Sequence, residues 1–334
     1  MTDALAAPFV RLDEADAVRV VREAYGREAH EAVRLDTERD DTFAVDTTAG
    51  RVVLKVAHPD DDPAVLDLQR TAMAAAARDP ALPVPRVLTT QDGDPSPVVL
   101  GADGRPREAR LLGWLPGRTL DHATTTRAQR LLLGTTLARL SLALADVRHV
   151  AEDRALDWDL QRLGDQRRHL VRIADPRARA AAAGVLDRFD ADTGPRARAT
   201  AQQLVHQDFH GDNVLVDADT VGFVTGVLDF GDVVRTAVVG DLAVAMAYAI
   251  GDEGDPWVRP YDLAEGFAAV RGLDGEQRAL LPDLVRARLA QRLLLNSWLA
   301  AEDPANAGYT GRTLRRAARD LHRVLAAPAP GEAP

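Results

Sequence analysis

The sequence predicts an α+β fold in two parts, a small β-sheet region followed by a larger, mainly helical region. Two observations support this prediction. Short runs of β-branched residues bounded by turn residues dominate from residue 42 to residue 114, whereas long segments with helical periodicity dominate from residue 127 onwards. The pair Pro116-Gly117 separates the two patterns. We therefore expect an N-terminal lobe of residues 1–113, a C-terminal lobe of residues 114–325 and a disordered tail of residues 326–334.

The N-terminal part begins with a helical pattern and then changes to strands. Residues 12–29 have helical spacing with acidic residues near the start, which suits a helix N-terminus. The strand-like runs 42–46 and 51–57 flank turn-forming residues, so we expect a β-hairpin. Pro63 suits the first turn of the helix that follows. Two further strand candidates cover residues 97–101 and 108–114.

The C-terminal part is helical apart from one β insertion. Short β runs between residues 204 and 230 surround a turn at residues 217–220. We expect helices at residues 127–147, 158–173, 176–190, 241–250, 262–270, 276–301 and 311–325.

Composition excludes several classes of function. The net charge of −10 and the pI of about 5.3 argue against general binding to nucleic acids or membrane surfaces, which requires a basic face. The absence of cysteine excludes disulfides and thiolate chemistry. No run of ~18 uncharged apolar residues occurs, and the N-terminus does not resemble a signal peptide, so we expect a cytoplasmic location.

Lysine and arginine are used very unequally in this sequence. Lys55 is the only lysine, and every other basic residue in the cationic total is arginine. It lies in the strand-like run Arg-Val-Val-Leu-Lys-Val-Ala. A position that keeps lysine against this bias suits a compact ammonium group rather than a planar guanidinium.

The densest polar cluster lies between apolar, strand-forming residues. It has the pattern His-x-Asp-x-x-x-x-Asn at residues 206–213, followed by Asp-Phe-Gly from Asp229. Polar groups in such a setting are costly unless they are paired or bind a ligand. Phosphoryl transfer needs this set: a carboxylate to orient the attacking hydroxyl and accept its proton, oxygen ligands for Mg²⁺, and a cation for the phosphates. Asp208 suits the first role, Asn213 and Asp229 the second, and Lys55 the third.

These motifs resemble the aminoglycoside phosphotransferase and choline kinase superfamily, whose fold is bilobal and protein-kinase-like. The resemblance covers about residues 30–325. It implies that Asp241 supports the catalytic loop and that Lys55 binds nucleotide phosphates. It also implies that nucleotide and Mg²⁺ bind between the lobes. We expect His206 to support the same catalytic loop through hydrogen bonds.

The resemblance extends to the connection between the two lobes. The stretch Leu-Leu-Gly-Trp-Leu-Pro-Gly at residues 111–117 resembles the family's interlobe hinge, where the chain meets the nucleobase. Leu112 and Trp114 are the implied nucleobase-binding residues.

Three stretches, at residues 38–43, 66–73 and 231–248, look like those of hydroxylysine kinase-like phosphotransferases. That group acts on amino alcohols or hydroxylated amino acids. In bacteria its members also occur beside or fused to pyridoxal-phosphate-dependent aminotransferases, which implies a functional link to such an enzyme.

The sequence departs from the protein-kinase pattern in two places. It has no Gly-x-Gly-x-x-Gly loop, so phosphate contacts must come from Thr42, Arg39 and backbone N–H groups. The helix after Lys55 offers no glutamate. Gln69 stands where a glutamate partner is expected and can position the ammonium through its amide oxygen, with Asp67 as a nearby alternative.

Residues near these motifs are candidates for substrate binding. Asp232, directly after Asp-Phe-Gly, suits a substrate ammonium, although a turn residue is the alternative. His210 either packs or lines the site. Arg288 and Arg292 share one helix face and can hold a substrate carboxylate, which favours an amino acid, unless they serve packing or lie on the surface.

The sequence therefore predicts a small-molecule kinase that uses Mg²⁺ and transfers the γ-phosphoryl group of ATP or GTP to a hydroxyl group. The expected acceptor is an amine-bearing metabolite such as hydroxylysine or an amino alcohol. One alternative is an antibiotic phosphotransferase acting on an aminoglycoside or a macrolide. A second alternative is a nucleotide-binding regulator without catalytic activity.

Overall fold

The computed structural model describes residues 9–37, 39–101, 103–302 and 307–331. The chain divides into two compact units, Met1–Pro116 and Gly117–Pro334.

The first unit contains an antiparallel sheet of six strands among its described residues. Along the sheet the strands run β1-β2-β3-β6-β4, and β5 pairs with β6. Two helices accompany the sheet. The bounds are α1 (Glu14–Tyr25), β1 (Ala29–Leu35), β2 (Asp41–Thr47), β3 (Gly50–Val56), α2 (Pro63–Ala76), β4 (Val87–Leu88), β5 (Val98–Leu100) and β6 (Pro106–Gly113).

The core of this unit lies between α1 and the sheet. Val20 and Val21 of α1 join Phe43, Leu54 and Leu111 of the central strands in one buried cluster. In β3 the alternate residues face this core, as expected for a half-buried strand. Lys55 therefore points to the opposite face of the sheet from its buried neighbours.

The first helix is shorter than the sequence predicts. Its N-terminus has a capping box in which Asp13 and Asp16 bond each other's backbone N–H groups. Gly26 ends it in the left-handed conformation at φ +63°, which glycine adopts without strain. The chain then forms β1, which the sequence did not predict because only Ala29 and Ala32 of this charged strand are buried.

The second unit is mainly helical and includes short strand pairs. β9 pairs with β7 and β10, and β8 pairs with β11. The bounds are β7 (Arg118–Thr119), α3 (Arg127–Leu144), α4 (Pro176–Arg188), α5 (Gly194–Ala199), β8 (Gln202–Val205), β9 (Val214–Val216), β10 (Val224–Val227), β11 (Val234–Ala237), α6 (Val238–Tyr248), α7 (Val258–Arg271), α8 (Gly275–Glu302) and α9 (Ala307–Ala326).

Two predicted helices of this unit differ in type. Residues Leu160–Arg172 form a 3₁₀-helix, and its buried residues are Leu160, Leu163, Gln166 and His169. This spacing of three matches the three residues per turn of a 3₁₀-helix, so one narrow stripe faces the core. The helix expected at residues 176–190 ends at Arg188, where a π-helical turn leads into α5.

The end of the chain is only partly covered by the described residues. Residues 332–334 of the expected disordered tail lie outside them. Of the preceding residues, Ala327 accepts a hydrogen bond from the Trp257 indole at 3.0 Å, and Ala329 is buried. No helix in the described ranges is long and apolar enough to cross a membrane.

Candidate active site

The loop between β8 and β9 carries Asp208 and is held by His206. The imidazole of His206 is buried, its Nε2 lies 3.0 Å from the Leu228 carbonyl oxygen, and its Nδ1 accepts the Asp208 N–H at 3.3 Å. Burial lowers the pKa of His206, so the ring is neutral, donates from Nε2 and accepts at Nδ1. His206 therefore joins the Asp208 loop to the segment that follows β10.

Asp241 of α6 supports the same loop through a hydrogen bond to its backbone. Its Oδ1 accepts the backbone N–H of Gln207 at 2.7 Å, and Gln207 is buried with φ at +66°. A non-glycine residue rarely adopts this conformation unless neighbouring contacts stabilise it. Burial raises the pKa of the Asp241 carboxyl to about 7. Asp241 thus stabilises an unusual backbone conformation directly before Asp208.

Asp208 makes side-chain contacts with three neighbours. Its Oδ2 accepts a hydrogen bond from Asn213 Nδ2 at 2.6 Å. Its Oδ1 lies 3.2 Å from His210 Nε2 and 3.5 Å from Arg288 Nη2. The spacing of five residues between Asp208 and Asn213 allows the loop to turn back so that the amide reaches the carboxylate. These contacts fix the orientation of the carboxylate.

The charges in this cluster are strongly coupled. Burial alone raises the pKa of Asp208, but the positive charges of His210 and Arg288 outweigh burial and hold it at about 2. Burial alone lowers the pKa of His210, whereas the Asp208 carboxylate raises it to about 9. At neutral pH both groups are therefore charged and form an ion pair.

Asp229 follows β10 and lies beside the Asp208 loop. The Leu228 N–H bonds the Asn213 carbonyl oxygen at 2.8 Å, so the two segments are adjacent. Asp229 has φ at +54°, and its Oδ1 accepts the Gly231 N–H at 2.9 Å. Its side chain is exposed. The backbone turn therefore presents this carboxylate at the surface, directly after Leu228, whose N–H bonds Asn213.

The donor set of Asn213 and Asp229 fits Mg²⁺. The Asn213 amide nitrogen donates to Asp208, which leaves the amide oxygen free of that contact and able to serve a metal ion. No three His, Asp or Glu side chains among the described residues are grouped so as to hold an ion by themselves. Magnesium in nucleotide sites uses one or two protein ligands together with phosphate oxygens and water, so two oxygen donors suffice.

Asp232 is half-buried and has no hydrogen-bond or salt-bridge partner among the described residues. Burial and the negative charges of Asp208 and Asp229 raise its pKa to about 7, although Arg154 and Arg288 act in the opposite direction. A bound cation at this carboxyl would stabilise its ionised form.

Two arginines of α8 lie next to the same cluster. Arg288 is buried, donates from Nη1 to the Trp158 carbonyl oxygen at 3.0 Å and contacts Asp208 through Nη2. Arg292 is buried one turn further along, with its Cζ 4.0 Å from the centre of the Tyr248 ring. The His210 ring stacks on Tyr248 at 4.4 Å, and the Arg288 Cζ lies 5.9 Å from the centre of the same ring.

In the first unit, Lys55 lies in a cluster of polar residues on the sheet. It is opposite Thr42 in the β2–β3 pairing and opposite Arg110 in the β3–β6 pairing. Asp40 Oδ2 lies 3.4 Å from Lys55 Nζ and 3.2 Å from Arg110 Nη2. The amide oxygen of Gln69 accepts a hydrogen bond from Arg110. The Gln69 amide oxygen, which was expected to position Lys55, is thus bonded by Arg110. Asp40 provides a carboxylate beside Lys55.

The remaining residues expected to bind nucleotide lie at the ends of these strands. Leu112 is buried in β6, opposite Val53 and Val87. Trp114 follows β6, is 41% exposed and has the Arg51 guanidinium 5.3 Å above its ring. Of the two side chains expected to contact phosphate, Arg39 forms a salt bridge with Asp61, and Thr42 is buried. Asp67 of α2, the alternative to Gln69, forms a salt bridge with Arg70.

Sequence reasoning missed three residues of these clusters. Asp40 and Arg110 have no motif, and their place beside Lys55 depends on the strand register. Tyr248 is the last residue of α6, a helix that is apolar apart from Asp241. The only available signal was the presence of an aromatic residue after an apolar run.

The fold and the Asp208 cluster define a phosphotransferase of the protein-kinase-like class. The chain belongs to the phosphotransferase enzyme family APH, whose family model matches residues 31–280. It is 26% identical to hydroxylysine kinase of Danio rerio over 326 residues, covering 94% of this chain and 91% of that protein. It is 28% identical to homoserine kinase of Xanthobacter autotrophicus over 277 residues, covering 79% of each.

The fold is also that of a solved kinase. A microcompartment-associated aminopropanol kinase superposes with a TM-score of 0.67 at 21% identity, covering 93% of this chain and 97% of that chain. The predicted fold class, the superfamily and the relationship to hydroxylysine kinases are therefore confirmed. The chain is a small-molecule kinase, an enzyme that transfers a phosphoryl group from a nucleotide to a hydroxyl group.

Proposed function

We propose that the enzyme transfers the γ-phosphoryl group of ATP or GTP to a hydroxyl group of an amine-bearing metabolite. One observation carries this proposal: the Asp208 carboxylate is held in one orientation by Asn213 and kept ionised by His210. A fixed anionic acceptor suits a hydroxyl group that must be aligned for attack on phosphorus.

Asp208 acts mainly by orientation in this proposal. Its pKa of about 2 makes the carboxylate a weak base at neutral pH. In a loose phosphoryl-transfer transition state the bond between the attacking oxygen and phosphorus is only weakly formed. The hydroxyl group therefore needs little deprotonation until late in the reaction. Asp208 therefore accepts a hydrogen bond from the substrate hydroxyl, points the oxygen at the γ-phosphorus and receives the proton as the new P–O bond forms.

Asn213 and Asp229 are the proposed Mg²⁺ ligands. An ion held by these two side chains would supply positive charge to the nucleotide phosphates. Asn213 contributes its amide oxygen while its amide nitrogen holds Asp208, so one side chain couples the metal site to the hydroxyl-orienting carboxylate. Asp229 contributes the exposed carboxylate after β10.

The proposed nucleotide contacts lie in the first unit. Lys55 is the phosphate-binding cation, with Thr42 and Gln69 as neighbours in the cluster on the sheet. Leu112 and Trp114 are the proposed nucleobase contacts. The resemblance to kinases with a strand lysine and a hinge segment supports this assignment, which leaves the choice between ATP and GTP open.

An amine on the acceptor is supported by Asp232 and by the relatives. Asp232 is a carboxyl without a protein partner among the described residues, near the carboxylates of Asp208 and Asp229. Hydroxylysine, homoserine and aminopropanol, after which the relatives are named, all combine a hydroxyl with an amine. The functional link to a pyridoxal-phosphate-dependent aminotransferase stays a prediction of the resemblance.

The test is a nucleotide-consumption assay with hydroxylysine, homoserine, aminopropanol, an aminoglycoside and a macrolide as acceptors. We expect turnover of an amino-containing metabolite and a loss of at least ~10³-fold in Asp208→Ala, because alignment and proton acceptance are both removed. Asp219→Asn, an exposed carboxylate in the turn between β9 and β10, is the matched control and should keep full activity.

Three outcomes would contradict the proposal. Preferred turnover of an antibiotic would indicate a resistance enzyme instead of a metabolic kinase. Full activity in Asp208→Ala would remove Asp208 from the chemistry, whereas no turnover by the wild type with any acceptor would favour a nucleotide-binding regulator.

A further inference from the structure

Arg292 is a buried cation whose donors are incompletely used. Its side chain is 2% exposed, and its Nε and Nη1 atoms have no hydrogen-bond partner within the described ranges. Each nearby cation of α8 and α9 contacts a carboxylate: Arg288 contacts Asp208, Arg316 contacts Asp121 and Arg319 contacts Asp252. No carboxylate of the described residues lies within salt-bridge distance of Arg292.

Such an arrangement is unfavourable in the free protein. A buried charge is unfavourable unless it is paired, and unpaired buried donors add to the cost. Tyr248 and Asp320 are the acidic groups that act on Arg292. Arg319 donates two hydrogen bonds to Asp320 Oδ1, and Asp320 Oδ2 has no hydrogen-bond partner within the described ranges. An anionic ligand at Arg292 would supply the missing acceptors.

Arg292 is connected to the phosphoryl-transfer cluster by direct contacts. Its guanidinium lies 4.0 Å from the Tyr248 ring centre. Tyr248 stacks on His210, and His210 contacts Asp208 at 3.2 Å. Arg292 is therefore joined to the hydroxyl-orienting carboxylate through two side chains, Tyr248 and His210.

The electrostatics around Tyr248 are positive. Burial alone raises the pKa of the Tyr248 phenol, but Arg292, His210 and Arg288 together lower it below its usual value. The Asp232 carboxyl has the opposite environment, since Asp208 and Asp229 add negative charge around it. The cluster thus has a region suited to an anion and another suited to a cation.

We infer that the acceptor is a hydroxylated amino acid whose carboxylate binds Arg292, with the ammonium group at Asp232. This inference rests on the proposed kinase function and narrows its substrate class from amines in general to zwitterions. Arg292 donates to the carboxylate, Tyr248 forms a wall of the binding site, and Arg288 remains engaged with Asp208. Simple amino alcohols lack the group that satisfies Arg292.

The test compares each acceptor with its analogue that lacks only the carboxylate. Homoserine and hydroxylysine are each assayed beside the decarboxylated amine, in the wild type, Arg292→Met and Arg292→Lys. We expect Arg292→Met to lower kcat/KM for the preferred amino acid by about 10²-fold and for its decarboxylated analogue by less than about threefold. Arg292→Lys should recover part of the loss, because it keeps the charge without the guanidinium fork.

Folding is controlled in two ways. Arg286→Met changes another arginine of α8, which bonds Asp283 away from Asp208, and should leave kcat/KM unchanged for every acceptor. Urea unfolding should show that Arg292→Met is as stable as the wild type or more stable, because the removed guanidinium was not fully hydrogen-bonded. Calorimetric titration of the full-length variants with homoserine and hydroxylysine measures binding without turnover.

Three outcomes would overturn this inference. The wild type could use both members of each acceptor pair equally well. Arg292→Met could reduce both equally, which would indicate a role with phosphate or in packing. Calorimetry could show amino-acid binding that is independent of Arg292. Absence of turnover alone would contradict the proposed kinase function, and the calorimetric comparison would still decide the role of Arg292.

Discussion

The ion pair of His210 and Asp208 makes a quantitative prediction about stability. The Asp208 cluster raises the pKa of His210 from 6.5 to about 9. A shift of this size corresponds to about 3 kcal/mol of preferential proton binding by the folded state. Coulomb's law with an effective dielectric constant of about 20 gives ~5 kcal/mol at the 3.2 Å separation of Nε2 and Oδ1, which is the same order of magnitude.

The perturbation is His210→Gln, which keeps a polar side chain but carries no charge. Because the folded-state pKa of His210 is raised, its stabilising contribution is complete below about pH 6.5 and is lost as the pH rises through about 9. The difference in the free energy of unfolding between wild type and variant should therefore shrink by about 3 kcal/mol between about pH 6 and pH 9.5.

Urea unfolding at several pH values measures this difference, and an NMR titration of the imidazole measures the pKa directly. The exposed His30 provides a matched control: His30→Gln should change the free energy of unfolding only slightly. A wild-type-to-variant difference that is constant over the pH range, or a His210 titration at or below about pH 6.5, would refute the assigned ion pair.

Two further predictions concern the metal site and the helix packing. Asp229→Ala should abolish Mg²⁺-dependent nucleotide binding in calorimetry, whereas Asp217→Ala in the β9–β10 turn should not; unchanged Mg·ATP affinity in the first variant would contradict the ligand assignment. Gly134→Ala should lower the free energy of unfolding by about 1–3 kcal/mol, because a Cβ there would lie 1.9 Å from the Leu263 carbonyl oxygen of α7. The control is Gly184→Ala in α4, where an added Cβ meets no atom within 4 Å and should be neutral or stabilising. Equal effects of the two glycine variants in urea unfolding would refute the close contact between α3 and α7.

The neighbours of Asp208 have separate effects on its carboxylate. His210 and Arg288 keep the carboxylate ionised, and Asn213 fixes its direction. An enzyme that relied on a strong base would instead raise the pKa of this carboxyl. The arrangement suits phosphoryl transfer, where alignment and charge stabilisation contribute more than proton abstraction.

The sequence by itself determined the local groups of the site and the order of most elements. His206, Asp208 and Asn213 lie within eight residues, so a single loop brings them together whatever the distant packing. Helix starts such as Pro63 and the hairpin of β2 and β3 also depend on nearby residues alone. Short-range interactions decide these features, and they are visible in residue patterns.

Only the tertiary structure decided which distant residues join these groups. Arg110 is opposite Lys55 because β6 pairs with β3 in one register, and a shift by one residue would turn its side chain to the other face. Arg292 meets Tyr248 because α8 packs against α6, far apart in sequence. Strand register and helix packing result from the burial of many apolar side chains at once, so no single motif reveals which polar residues they bring into contact.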